Sequence, residues 1–290
     1  MHHVRKHSIS SLPTELTMPA EWAPHDGCII LYPHNPHTFP LEQAQAEVDE
    51  VIQIIAHAGK ELVHVYCHDE EQASMVKQKN YVQYSDGKIL IHVCPSNDTW
   101  ARDTAPTFCY NTITKQLVGL DWEFNAYGGK DEGAYWPCDL DQNIASNVCA
   151  SLGIVCQQVP LVLEGGAIHT DGQGTLLVTK ECLLNPNRNP HLGRDLIEKL
   201  LKTVLGCKVV IWLPSGLNAD SDTNGHVDNF CCFVKPGHVV LAWTDDVKND
   251  PENYARCRVA KLLLGATKDA RGRKLEIHKL YLPPPMVRSP

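Results

Sequence analysis

The chain has 290 residues, 43% of them apolar and 21% charged, enough to bury a sizeable core as one large domain or two ordinary ones. Its 34 acidic and 26 basic residues give a net charge of −8, which argues against nucleic-acid or anionic-membrane partners and suits a small cationic ligand. No run approaches the ~18 consecutive apolar residues of a membrane span.

The opening "MHHVRKHSIS" is basic but has no apolar stretch, so it reads as a frayed terminus and not as a secretory signal. "GCIILY" (27–32) reads as a strand. In "LEQAQAEVDEVIQIIAHAG" (41–59), Ala44, Val48, Val51, Ile52 and Ile55 mark one helical face and Gly59 can end the helix. "ELVHVYC" (61–67) follows as a strand, "DEEQASMVKQK" (69–79) as a short helix and "KILIHVC" (88–94) as a strand.

After residue 100 the order becomes regular. A hairpin (106–122) precedes a helix (about 139–151) and a strand (154–163). A second hairpin turns at "DGQG" (171–174) and leads to a helix (193–206) and a strand (208–213). A third turns at "KPGH" (235–238), before a helix (251–265) and a strand (274–282). The unit is strand–strand–helix–strand, and polar residues recur with it. Asp103, Glu164 and His226 stand just before successive hairpins, at intervals of 61 and 62 residues. Equivalent positions converge if the modules ring a common axis, so the expected fold is an α/β propeller with a central site. Residues before 103 supply a longer first module, giving modules of about 18–102, 103–163, 164–225 and 226–286 within a single catalytic domain, 1–290. By the same period a fifth module begins near residue 287, so the ring is expected to be incomplete in this chain.

Twelve cysteines are scattered without a CxxC pair and read as reduced thiols of a cytoplasmic protein. Fifteen histidines include no HExxH, and most stand singly in turns or at alternating strand positions. They read as hydrogen-bonded or surface histidines, with no metal site expected. "NGHVDNFCC" (224–232) raises the question of a nucleophile beside its base. On a strand, His226 and Asp228 share a face, but at ~3.3 Å per residue Cys232 would lie roughly 20 Å from His226. Residues 229–234 are expected to form the first strand of a hairpin, with Cys231 and Cys232 packing in it.

"MPAEWAPHDG" (18–27), "NDTWARDTAP" (97–106), "FNAYGGK" (124–130), "LEGGAIHTDGQGTLLVT" (163–179), "LLNPNRNP" (183–190), "NGHVDN" (224–229) and "DARGR" (269–273) together resemble the agmatine deiminases. These belong to the guanidine-modifying, peptidyl-arginine-deiminase-like enzymes, and the resemblance runs in order from 18 to 290. It implies a five-module α/β propeller that hydrolyses agmatine to N-carbamoylputrescine and ammonia, a step towards putrescine, without metal or organic cofactor.

The resemblance also assigns roles. A guanidinium is planar and permanently charged, so paired carboxylates hold it well; Asp103 and Asp228 match the family's guanidinium-binding aspartates. Outside the family pattern, Asp103 would be read as a cap or a partner of Arg102. His226 matches the general acid/base that protonates departing ammonia and then activates water. Glu164 matches the carboxylate that orients this histidine. Trp100 is either a pocket wall over the guanidinium or a core residue. Asp220 or Asp222, in "NADSD" (218–222), would meet the substrate's distal ammonium unless the segment is simply an exposed loop. The attacking cysteine of the family lies in a glycine-rich segment after the fifth module and is expected outside this chain. The chain alone should then bind a guanidine without turning it over. Cys94, Cys109, Cys231 and Cys232 are the thiols nearest the motifs that would have to replace it. Ala105 and Tyr127 depart from the Gly and Trp often found in related sequences. One rival reading is a deiminase of arginine or peptidyl-arginine, for which Arg188 would be the carboxylate's partner. The other is a non-catalytic guanidine-binding protein. The sequence does not reveal whether the chain forms a homo-oligomer.

Overall fold

A computed structural model describes residues 14–59 and 61–284. The expected frayed terminus, residues 1–10, lies outside them. Strand β1 (Leu16–Thr17) comes first in the chain but joins the second of four separate sheets. The first sheet holds β2 (Gly27–Leu31), β3 (Leu62–Cys67) and β4 (Ile89–Val93), all parallel. Parallel strands need long crossovers, and these are α1 (Leu41–Ala58) between β2 and β3, then α2 (Glu70–Lys79) and α3 (Tyr81–Ser85) between β3 and β4. Asp69 caps α2 by accepting the Gln72 N–H at 2.8 Å. The apolar face of α1 is narrower than expected: Ile52 and Ala56 are buried, whereas Val51 is 48% exposed. At 3.6 residues per turn Val51 lies ~100° from Ile52, beyond the stripe that meets the sheet.

The turn α4 (Ala101–Thr104) leads into the second sheet, where β5 (Thr107–Asn111) pairs antiparallel with β6 (Leu117–Glu123). The turn α5 (Gly129–Glu132) and helix α6 (Ile144–Leu152) then return the chain to β7 (Val155–Val162), parallel to β6. The third sheet repeats this plan. Strand β8 (Ile168–Thr170) runs antiparallel to β9 (Thr175–Thr179), and α7 (Lys180–Leu183) and α8 (Arg194–Leu205) lead to β10 (Val209–Leu213), parallel to β9. The fourth has β11 (Cys231–Lys235) antiparallel to β12 (His238–Trp243), helix α9 (Pro251–Ala266), and β13 (Glu276–Tyr281) parallel to β12. The strand–strand–helix–strand unit therefore occurs three times, as expected. The first sheet differs, having three parallel strands and no hairpin.

Core packing links the last three sheets. Leu176 and Val178 of β9 join Leu120, Leu161 and Leu200 in one apolar cluster, while Leu177 joins Ile211, Val227, Leu241 and Trp243 in another. Alternate side chains of a strand point to opposite faces, so both faces of β9 are buried and the third sheet lies between its neighbours. Each fully buried leucine contributes ~1.5–3 kcal/mol of transfer free energy. This packing places the segments that precede β5, β8 and β11 beside one another. No helix among the described residues is long and apolar enough to cross a membrane.

Candidate active site

The segments that precede the three hairpins meet at Gly166. Its N–H donates to Asp103 Oδ1 at 2.9 Å, and its carbonyl accepts the Asp228 N–H at 3.2 Å. A Cβ on Gly166 would lie 2.5 Å from His226 Nδ1, 2.7 Å from Asp228 Oδ2 and 2.9 Å from Asp103 Oδ1. Three polar side chains from the two flanking modules thus surround one backbone position of the module between them, and only a hydrogen fits there. His226 lies between two carboxylates: Nδ1 is 3.9 Å from Asp103 Oδ1 and Nε2 is 3.5 Å from Glu164 Oε2. Asp103, Glu164, His226 and Asp228 are all brought together, and Asp228 Oδ1 is buried without a hydrogen-bond partner among the described residues. Arg102, the alternative partner for Asp103, instead holds Glu21 through two contacts of 2.9 and 3.2 Å.

Electrostatics divides the site into two sides. Burial favours a neutral Glu164, but the close His226 imidazole and the Arg188 charge outweigh it and hold its carboxyl below the usual range. Burial also disfavours a charged His226, yet its close contacts with Cys182 and Glu164 and the Asp103 charge push it up to about 11. Asp103 and Asp228 are both pushed up, burial being the largest cause in each, with His226 opposing it. On one side of the imidazole a carboxylate is neutralised. On the other, Asp103 and Asp228 share only the charge of His226 and that of Arg102, which is itself paired with Glu21.

The "HVD" segment is not a strand, contrary to expectation. Residues 221–230 run through turns, Val227 O accepting the N–H groups of Phe230 and Cys231, and β11 starts only at Cys231. Cys232 Sγ consequently lies 3.1 Å from Asp228 O, and the extended spacing assumed from the sequence fails because the chain turns. Asp220 explains the turn. Its carboxylate accepts from Thr223 Oγ1 at 2.6 Å, from the His226 N–H at 2.9 Å and from Asn229 Nδ2 at 3.2 Å. Asp220 therefore holds the backbone that carries His226. Asp222 is exposed, with Ser221 Oγ at 3.4 Å.

Trp100 is not a core residue: it is 39% exposed, its indole N–H donates to Asp98, and its ring centroid is 5.5 Å from that of Phe39. The four thiols considered from sequence differ in accessibility. Cys109 and Cys231 are fully buried in the core, Cys94 is buried beside Asn147 Nδ2, and Cys232 is partly exposed with its thiol raised to about 11, chiefly by burial.

Three contributors were missed or misread from sequence. Arg188 is buried, and its Nε donates to Glu164 Oε1 at 2.7 Å. Its terminal nitrogens donate to Tyr127 O, Asn187 Oδ1, Asn224 Oδ1 and Thr223 O. It is thus committed within the protein and is not available to a substrate carboxylate. Tyr127, noted only as a departure from related sequences, donates its O–H to Asp103 Oδ2 at 2.8 Å. Ala126 and Tyr127 have φ of 54° and 70°, a left-handed pair that non-glycine residues adopt at a cost of order 1 kcal/mol or more each. Cys182 Sγ lies 4.0 Å from Glu164 Oε2 and is buried. Glu164, Cys182 and His226 offer donors within 4.8 Å of one another, a set that could hold a metal. Yet Glu164 is committed to Arg188, and burial pushes the Cys182 thiol up, favouring the protonated form that ligates poorly. Asn224 opens a quoted motif, but no spacing rule connects it to Arg188, from which it accepts a hydrogen bond.

Residues 17–289 match the model of the Porphyromonas-type peptidyl-arginine deiminases. The chain belongs to that family. It is 44% identical over 275 residues to the agmatine deiminase of Ectopseudomonas mendocina, covering 94% of this chain and 72% of the relative. The agmatine deiminase of Pseudomonas putida strain KT2440 is 44% identical over 277 residues, with the same coverage. Among solved structures, an agmatine deiminase of Enterococcus faecalis superimposes with a TM-score of 0.84 at 33% identity, over 93% of this chain and 71% of that one. The resemblance drawn from the motifs is borne out, as is a mixed α/β fold.

Proposed function

We propose that the chain is part of an enzyme that hydrolyses the guanidine group of agmatine to N-carbamoylputrescine and ammonia, and that it supplies the groups that hold the guanidinium and move its protons. The observation that carries this reading is the pair Asp103 and Asp228 around Gly166, beside His226 and with Asp228 Oδ1 lacking a hydrogen-bond partner among the described residues. A guanidinium set against both carboxylates would present its central carbon next to His226. The imidazolium, held by Glu164, then gives its proton to departing ammonia and afterwards takes one from the hydrolytic water. Attack on the carbon is assigned, as the family resemblance implies, to the thiolate of the family's cysteine, a role this reading gives to none of Cys94, Cys109, Cys231 and Cys232. The reaction needs no metal or organic cofactor in this reading.

Substrate choice follows from Arg188. A free arginine or a peptidyl arginine brings a carboxylate or backbone that calls for a placed cation, and the residue suggested by sequence for that task is spent on Glu164. The reading also includes the wider architecture: modules near 18–102, 103–163, 164–225 and 226–286, as part of a five-module propeller in a cytoplasmic enzyme of polyamine metabolism. The three repeated units and the convergence of their leading residues support it. Asp222 and Trp100 stay as candidates for the outer part of the pocket. Calorimetric titration of the chain with agmatine and with arginine, side by side, tests the substrate. Agmatine should bind at least about tenfold more tightly, ~1.4 kcal/mol. Equal or tighter arginine binding would overturn the choice.

A further inference from the structure

We propose that the start of β12 and β13 forms a binding site for a divalent cation of the Zn2+ class, ligated by His238, His278 and Glu276. The parallel register sets His238 opposite Glu276 and Val240 opposite His278, so all three side chains share one sheet face. His238 Nδ1 and His278 Nε2 are 3.1 Å apart. The Glu276 carboxylate turns one oxygen to each ring, Oε2 at 3.4 Å from His238 Nδ1 and Oε1 at 3.4 Å from His278 Nε2. Ligand bonds of ~2.0–2.1 Å in a tetrahedral zinc site place donor atoms about 3.3 Å from one another. Each ring nitrogen already stands at about that spacing from the other and from one carboxylate oxygen, and the three residues offer donor atoms within 4.8 Å of one another, so an ion bound by all three would keep a position open to water. Two imidazoles and a carboxylate suit Zn2+, Co2+, Ni2+ or Cu2+ better than Mg2+ or Ca2+.

The first sheet contains an internal comparison. His64 Nδ1 and His92 Nε2 are 3.2 Å apart, with ring centroids 5.4 Å apart as in the His238–His278 pair. The register is the same as well, His64 standing opposite the residue two before His92. That residue is Leu90, where the fourth sheet has Glu276. Tyr66 also stacks on His92 at 4.6 Å, whereas His278 and Glu276 side chains are 45% and 63% exposed. A hydrogen-bonded ring pair is therefore a recurrent feature of the fold, and the fourth sheet converts it by adding a carboxylate and access. The site is separate from the one around Gly166 and does not depend on the reading of the reaction. An ion held there would tie the edge strand β13 to β12 and stabilise the folded chain by mass action.

The test is calorimetric titration of the full chain with Zn2+, together with His278→Ala, Glu276→Gln and His92→Ala. His278→Ala should lose one bound ion, Glu276→Gln should weaken that ion at least about tenfold, the lower bound even for outer-sphere partners, and His92→Ala should bind as the parent does. Melting curves without metal establish that each variant is folded, and His238→Ala replaces His278→Ala if the latter is not. Zn2+ should raise the melting temperature of the parent and of His92→Ala more than that of the other variants. Titrations of the folded histidine and glutamate variants that match the parent, or loss of the same ion in His92→Ala, would overturn the proposal.

Discussion

Gly166→Ala is the sharpest perturbation available, because one methyl group probes three functional side chains at once. Its Cβ would lie 2.5, 2.7 and 2.9 Å from polar atoms of His226, Asp228 and Asp103, where ordinary contacts need about 3.5–4.0 Å. Gly166 does not lie in the left-handed region, so alanine can adopt its backbone and the cost is steric. Relief requires the three side chains to withdraw by roughly 1 Å, and overpacking of that kind typically costs ~1–3 kcal/mol of stability. The functional loss should be larger, since ~1 Å of misplacement at a reacting centre can cost about a hundredfold. The assay is agmatine titration by calorimetry with a melting curve on the same preparation. The expected result is a folded protein whose agmatine affinity falls by about tenfold or more. Parent-like affinity in a folded Gly166→Ala protein would refute the placement of the guanidinium between Asp103 and Asp228. Gly165→Ala is the matched control: its Cβ would meet the backbone carbonyl of Arg102, which cannot swing aside, so that variant should lose stability first.

Two further outcomes follow from the charges. Asp103 and Asp228 have raised pKa values in the unliganded protein, and a guanidinium binds their ionised forms. Agmatine affinity should therefore be full above the raised pKa values and fall as pH drops through them, at a pH above the ordinary aspartate value of ~3.9; affinity that stays flat down to pH 4 in titrations across pH 4–8 would contradict this. Arg188→Met strands Glu164 in the interior without its cation, which typically costs ~3–5 kcal/mol, and urea unfolding should show that loss. Stability within ~0.5 kcal/mol of the parent would mean that the Arg188 network does not hold the site together.

What could be seen in the sequence was periodic or local. The interval of about 61 residues shows because each module needs one hairpin and one crossover helix of similar length, so Asp103, Glu164 and His226 recur in phase. The boundaries of β9, α8 and β12 follow from apolar runs ended by Gly or Pro turns. Long-range and loop-dependent features could not be read in that way. The turn at 221–230 depends on Asp220 reaching forward to the His226 N–H, and the alternation rule gave the wrong geometry once the backbone stopped being extended. Arg188 bonds to atoms 24, 36 and 61 residues away, and no spacing rule reports such partners. Arg188 is a substrate contact only in the rival arginine reading of the sequence, and its burial gives it to Glu164.

The distribution of charge explains why these errors matter for substrate choice. When ionised, Asp103, Glu164 and Asp228 carry three negative charges, while Arg188 and a protonated His226 carry two positive ones. Arg102 is paired with Glu21, although its charge still acts on Asp228. The enclosed group is thus one positive charge short, and the burial that raises Asp103 and Asp228 is the physical sign of that deficit. In the proposed reading an entering guanidinium supplies the missing charge beside Asp228 Oδ1, which has no hydrogen-bond partner among the described residues. The guanidinium of arginine would do the same, but its carboxylate would bring back one negative charge with Arg188 already engaged. Had Arg188 been free, as the sequence allowed, the two substrates would have been electrostatically equivalent. In the proposed reading, its commitment to Glu164 favours the decarboxylated amine, and it acts from the Glu164 side of the imidazole, away from Asp103.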